Sequence, residues 1–256
     1  MFRKESSVPD NSPASLDNKK IKLINILDYK IGYFPIPKTA CTSIKQALYL
    51  VDQGTNYSNE KDGRGGIHRY FNKNTREEQC DRFEFSFVVV RDPIKRFLSA
   101  YSNRVTHHKE LSHRYITRKF PKFADQLPYF DPGLGQFIDN FSQYFKIRPI
   151  KHHTQPVSHS LTKTNLQQFS KIYCMENLPS LEYDLSAIHG HDLKLERLQT
   201  GGRKIPLRDL SQQQMEFLLD YYQEDYELLS DSYTVEKIWE EWAGDSKCNP
   251  VIHDTP

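Results

Sequence analysis

The run Phe83–Val90, FEFSFVVV, is rich in β-branched and aromatic residues. A helical stripe follows at once: Ile94, Phe97, Leu98, Tyr101 and Val105. A strand of that composition suits burial in a parallel sheet. Asp92 can cap the helix and Pro93 suits its first turn. The same step occurs earlier, where IGYFPI leads into a helix with Ile44, Ala47, Leu48 and Val51 at i, i+3, i+4 and i+7. This alternation predicts a three-layer α/β fold with a mainly parallel sheet and flanking helices. Sheets of that kind bind ligands beyond the carboxyl ends of their strands.

The remaining chain fits one domain. IKLINIL, starting at Ile21, reads as a strand. The polar segment from Asp52 to Gln79, with three glycines around Arg64, reads as a loop with a short helix at its end. Phe137, Ile138, Phe141 and Phe145 form a third helical stripe. KIYCMENL is a short strand leading to an acidic residue, Glu176, and GGRKIPLRDL a basic loop. Ser211 with Gln214 makes a capping box. It opens a long helix that buries Met215, Leu218, Leu219, Tyr222, Tyr226 and Leu229. The expected division is a flexible arm at 1–20, a single domain at 21–243 and a tail at 244–256.

Composition removes several classes. A formal charge of +2 supplies no strong field for nucleic acid or a membrane surface. No segment approaches the roughly 20 apolar residues of a membrane span, and the first residues lack the apolar core of a secretory signal. Cys41, Cys80, Cys174 and Cys248 are widely spaced, which suggests neither a zinc knuckle nor a disulfide framework. A reduced, cytoplasmic setting is the default expectation, although a soluble domain trimmed of an anchor has the same sequence features.

Two strand-to-helix junctions carry the chemistry. PKTACTS places Lys38 and the hydroxyls of Thr39, Thr42 and Ser43 at a helix N-terminus, where unpaired N–H groups receive anions. The turn is not GxxxxGK[ST], which disfavours a magnesium–ATP cradle and a P-loop kinase. The second junction puts Arg91 at a strand end and Ser99 about two helical turns further on. Arg is the side chain best shaped to grip phosphate. Two adjacent anion-binding corners suggest a ligand with anionic groups at both ends.

The two motifs together resemble the sulfotransferase family. PKTACTSI resembles its 5′-phosphosulfate loop and RDPIKRFLSAY its 3′-phosphate motif. KIYCMENL, HHTQP and LSQQQMEFLLDYYQEDYELL resemble segments of the carbohydrate-type, heparan sulfate 2-O-sulfotransferase-like branch. The resemblance implies a P-loop NTPase-like sulfotransferase fold. It also implies 3′-phosphoadenosine 5′-phosphosulfate (PAPS) as donor, with no metal required. Lys38 is then the group on the leaving oxygen, and Thr39, Ala40, Cys41, Thr42 and Ser43 cradle the 5′-phosphosulfate. Arg91 and Ser99 bind the 3′-phosphate, and Arg203 and Lys204 close over it or over the adenine. His68 is the implied general base, with Glu176 as rival and His152 and His153 as a second rival or acceptor site. Two adjacent histidines on a strand point apart, which argues against a metal pair. The implied acceptor is a carbohydrate or glycolipid hydroxyl, which the basic, aromatic stretch His107–Phe130 could bind. A non-catalytic nucleotide- or polyanion-binding module is the alternative.

Overall fold

The computed structural model describes residues 20–28, 30–58, 66–196 and 202–247. Most of the expected arm, Arg64, Gly201, Cys248 and the end of the tail lie outside them. The first half holds β1 (Ile21–Ile26), β2 (Ile31–Phe34), α1 (Cys41–Gln53), α2 (Gly66–Lys73), β3 (Thr75–Glu78) and β4 (Phe85–Val90). Next come α3 (Pro93–Tyr101), a π-helical turn (Ser102–His107), α4 (His113–Lys119), α5 (Leu134–Asp139), α6 (Phe141–Tyr144) and α7 (Arg148–Thr154). The chain continues through α8 (Lys163–Gln168), β5 (Lys171–Cys174), α9 (Leu178–His189), α10 (Gln212–Tyr221), α11 (Gln223–Leu228) and α12 (Val235–Lys247).

The sheet is mixed, in the order β3-β1-β2-β4-β5, and this corrects the expectation of a mainly parallel one. β2 runs parallel to β4, with Ile31 opposite Phe85, and β4 parallel to β5, with Val90 opposite Cys174. β1 is antiparallel to both β2 and β3. The cause is local. Leu27 and Asp28 adopt positive φ (51° and 47°), and Lys30 N–H donates to the Leu27 carbonyl at 3.1 Å. So short a connection reverses the chain, because a parallel neighbour needs a long crossover. β3, with sequence TREE, is an edge strand whose polar composition carries no strand signal.

Side chains alternate across the sheet and build a core on each face. Ile24, Ile31, Tyr33, Phe87 and Val89 pack with residues of α1, α2 and α9. Ile21, Leu23, Phe34, Val88 and Val90 pack with Cys80, Val157 and Leu166 on the other face. A third cluster, around Phe97, Phe137, Phe141 and Tyr222, holds α3 to the later helices. Two expected helices are broken. The third stripe divides at Asn140 into α5 and α6, and the long C-terminal helix divides at Tyr222 into α10 and α11.

The second break presents Asp225 to the interior. Its carboxylate accepts from the backbone N–H of Val157 (2.9 Å) and Ser158 (2.8 Å) and lies 3.6 Å from Arg96 Nη2. The next residue, Tyr226, donates to Asp92 Oδ2 at 3.0 Å. Asp92 also caps α3 by accepting from Lys95 N–H at 2.9 Å, as the sequence indicates. The C-terminal helices thus brace the corner that begins at Arg91.

Candidate active site

β2, β4 and β5 lie side by side and parallel, so their carboxyl ends open on one edge of the sheet. Lys38 follows β2, Arg91 follows β4 and Glu176 follows β5. All three line the same cavity of about 570 Å³, together with Thr42, His68 and Arg104. Ala40, Cys41, Ser43 and Ser99 also face it. An adjoining cavity of about 420 Å³ shares Lys38, Arg91, Ser99 and Glu176 and adds Arg203 and Lys204. The structure therefore brings most of the residues singled out in the sequence together, but not Thr39, His152 or the stretch 107–130. Thr39 is fully buried, and its hydroxyl donates to the Ile36 carbonyl at 2.9 Å, away from both cavities.

The turn after β2 has unusual backbone. Lys38 takes φ 72° and Ala40 takes φ 56° with ψ 21°. Side-chain-bearing residues enter this left-handed region at a cost of roughly 1–2 kcal/mol. The bend starts α1 at Cys41, with no side chain capping its first turn. The N-terminal end of α1, from Ala40 to Ser43, lines the cavity and brings the positive end of the helix dipole to it. Arg91 Nη1 donates to the Lys38 carbonyl at 3.1 Å and locks this turn to the second corner.

The basic loop is held over α3 by one glycine. Gly202 has φ 100°, and a Cβ there would collide with Ser102 Oγ and lie 2.8 Å from its carbonyl oxygen. Ser102 Oγ in turn donates to the Arg203 carbonyl at 2.6 Å. The Arg203 side chain is exposed, and its Nη2 lies 3.3 Å from Asp209 Oδ2.

His68 lies on helix α2, the short helix expected near the end of the polar segment. Ile67 and Phe71 are buried on α2, which packs against α1. That docking sets His68 Nε2 at 3.0 Å from Thr42 Oγ1 and Nδ1 at 3.1 Å from Lys45 Nζ. Glu176, the rival, accepts from Tyr233 Oη at 2.6 Å. His152 and His153 sit on α7, not on a strand as expected. Consecutive helical positions diverge, so His153 faces the site cavity. His152 faces a third cavity, of about 630 Å³, which is also lined by Lys45. Among the described residues no group of three or more His, Cys, Asp or Glu is placed to hold a metal ion.

Lys38, Arg91 and Arg104 line the cavity along with Glu176, Glu182 and Glu196, and Arg104 Nη1 also donates to Glu110 Oε1 at 3.1 Å. Burial, then Arg104, then Arg91 among its cationic neighbours, lower Lys38 to about 8. Burial, then Lys45, Arg104 and His152, push His68 down to about 4, so its ring is neutral near pH 7. His153 falls to about 3, chiefly through burial and Arg104. Arg104 was not legible in the sequence. It belongs to the π-helical turn after α3, a distortion often found at functional sites. Lys45 was missed too, although Thr42 and Lys45 stand three apart on α1 and off its apolar stripe. The stretch 107–130 contributes no residue to these three cavities.

Fold and cavity define an α/β protein with a cleft at the carboxyl ends of its parallel strands, into which Lys38, Arg91 and Arg104 bring positive charge. The sulfotransferase family matches residues 24–233, and the chain belongs to that family. Among curated proteins and among solved structures, none matches the chain. Membership supports sulfotransfer in general, to a hydroxyl-bearing acceptor, with PAPS the usual donor of the family. No helix among the described residues is long and apolar enough to cross a membrane.

Proposed function

We propose that the chain is a PAPS-dependent sulfotransferase of the carbohydrate type, similar to the heparan sulfate 2-O-sulfotransferase branch, with residues 21–243 as one catalytic unit. The observation that carries this reading is the contact between Arg91 and the Lys38 carbonyl, with two adjoining cavities that share both residues. A nucleotide anionic at both ends needs that arrangement: one cationic corner for each end. The backbone bend at Lys38 and Ala40 suits the donor's 5′ end, since the N–H groups of a helix N-terminus complement phosphate and sulfate oxygens.

When bound, the donor supplies an activated sulfuryl group. Lys38 then neutralises charge on the leaving oxygen, and the first turn of α1, from Ala40 to Ser43, holds the 5′ end. Thr39 acts through its backbone alone. Arg91 and Ser99 hold the 3′-phosphate, with Arg203 and Lys204 closing from the loop. His68 accepts the proton of the attacking hydroxyl, and its neutral ring suits it for that task. Glu176 is engaged by Tyr233 and serves as a positioning residue between the two cavities. Arg104 stabilises charge that develops near His68 and Lys38. The acceptor is a carbohydrate or glycolipid hydroxyl. The third cavity supports this, with Gln155 and Ser160 as hydrogen-bonding groups and Lys22 as a cation.

Thermal unfolding with 3′-phosphoadenosine 5′-phosphate, without magnesium, tests the donor assignment. A rise in Tm with the bisphosphate and none with magnesium–ATP is expected. The reverse pattern overturns the proposal. Label transfer from PAPS to a panel of saccharides and glycolipids then identifies the acceptor.

A further inference from the structure

We infer that Lys45 and His68 work as one proton-accepting pair, in which Lys45 decides which ring nitrogen carries the proton. This rests on His68 being the base of the proposed reaction. Lys45 is 6% exposed, and no carboxylate lies within 4.0 Å of its Nζ among the described residues. Its hydrogen bond is to the histidine ring, at 3.1 Å from Nδ1.

An ammonium donates and cannot accept. With Lys45 protonated, Nδ1 must therefore present its lone pair to Nζ. A neutral ring has one N–H, which then sits on Nε2 and donates to Thr42 Oγ1 at 3.0 Å. In that state no lone pair of His68 is available to an acceptor hydroxyl. Once the pair loses one proton, the Lys45 amine can accept from Nδ1–H. The Nε2 lone pair is then exposed where Thr42 now stands.

The proton balance closes. The acceptor's O–H bond breaks and its proton goes to Nε2, while the oxygen forms its bond to sulfur. The Nδ1 proton passes to the Lys45 amine. The pair returns to an ammonium and a ring protonated at Nε2, and later releases one proton to water.

The surroundings favour this sharing. Facing Lys45 across the third cavity are Lys20, Lys22 of β1, Glu77 of β3, Arg96 of α3, His152 of α7 and His159. Cys41 lies on its own helix. Arg104 and His152 face His68 from the π-helical turn and α7. Arg96 is neutralised by Asp225, and burial lowers the Lys45 ammonium against the opposing pull of Cys41.

The test is ¹⁵N NMR of histidine-labelled full chain, with His68→Gln assigning the signal, alongside pH profiles of transfer. Wild type should hold His68 as the Nε2–H tautomer near pH 7, and Lys45→Met should shift it toward a mixture. Lys45→Met should also move the rising limb of kcat down by at least one pH unit, toward the ordinary imidazole range. Lys45→Arg should keep the tautomer yet cut kcat at least 10-fold at every pH, because guanidinium does not yield its proton. A tautomer unchanged in Lys45→Met, or full activity in Lys45→Arg, overturns the inference. The NMR measurement needs no turnover, so it succeeds or fails separately from the sulfuryl-transfer reading. If Lys45→Met does not fold, wild type and Lys45→Arg still decide it.

Discussion

Arg91 Nη1 donates to the main-chain carbonyl of Lys38 at 3.1 Å, so the side chain of one strand-to-helix corner closes the backbone of the other. The contact makes Arg91 a part of both ends of the site.

Arg91→Ala should therefore weaken binding of 3′-phosphoadenosine 5′-phosphate more than a lone surface arginine would. Hydrogen bonds to charged groups contribute roughly 1.5–3 kcal/mol, which corresponds to a Kd raised about 10- to 100-fold. Calorimetric titration measures it. Arg91→Lys should recover only part of the loss, because a lysine cannot reach the carbonyl and a phosphate with a planar fork.

Lys38 titrates near 8 because it is buried beside Arg104 and Arg91. The ammonium is the form that receives an anion. Affinity of the free protein for the bisphosphate should accordingly fall as pH rises through about 8. Lys38→Arg should flatten that dependence. Lys38→Ala should lower kcat by about 10²–10³-fold, the range for loss of one charge-stabilising donor. Binding against pH and single-turnover transfer separate the two effects.

His68 and His153 are held neutral in the fold, at about 4 and about 3, against an unfolded value near 6.5. The unfolded chain thus binds more protons in that window, and stability must drop as pH falls from about 6.5 toward 4. Above 6.5 these two groups contribute no slope. Chemical denaturation at several pH values should show the drop, and His153→Gln should reduce it. His68→Gln should also lower kcat by about 10²–10⁴-fold while leaving nucleotide affinity unchanged.

Asp225 is fully buried, accepts two backbone N–H bonds and neutralises Arg96. Asp225→Ala leaves a buried guanidinium uncompensated and should destabilise the fold by about 3–5 kcal/mol in urea unfolding. Nucleotide affinity should weaken as well, since Tyr226 and Asp92 brace the start of α3 through the same helix.

The two corners were legible in the sequence because their signals are local. Asp92 caps the helix that starts one residue later, and Lys38 and the hydroxyls around it lie within one turn of chain. What depends on docking was not legible. Lys45 reads as an ordinary surface lysine until α2 covers it. The partners of His68 were not legible because the stripe of α2 is only Ile67 and Phe71, too short to show which face docks on α1. The β1–β2 hairpin was missed because Leu27 and Asp28 occupy positive φ without a glycine to mark the turn. Arg104 lines the site from the π-helical turn after Tyr101, which no residue pattern announced.

The left-handed backbone at Lys38 and Ala40 has a consequence for how a ligand is met. Glycine in their places would let the bend sample many shapes, whereas a lysine and an alanine held there by the surrounding fold leave it few. The donors of this corner are consequently set before anything arrives, and recognition at that end is rigid. Adjustment to the rest of the ligand falls to the exposed side chain of Arg203 on the far loop.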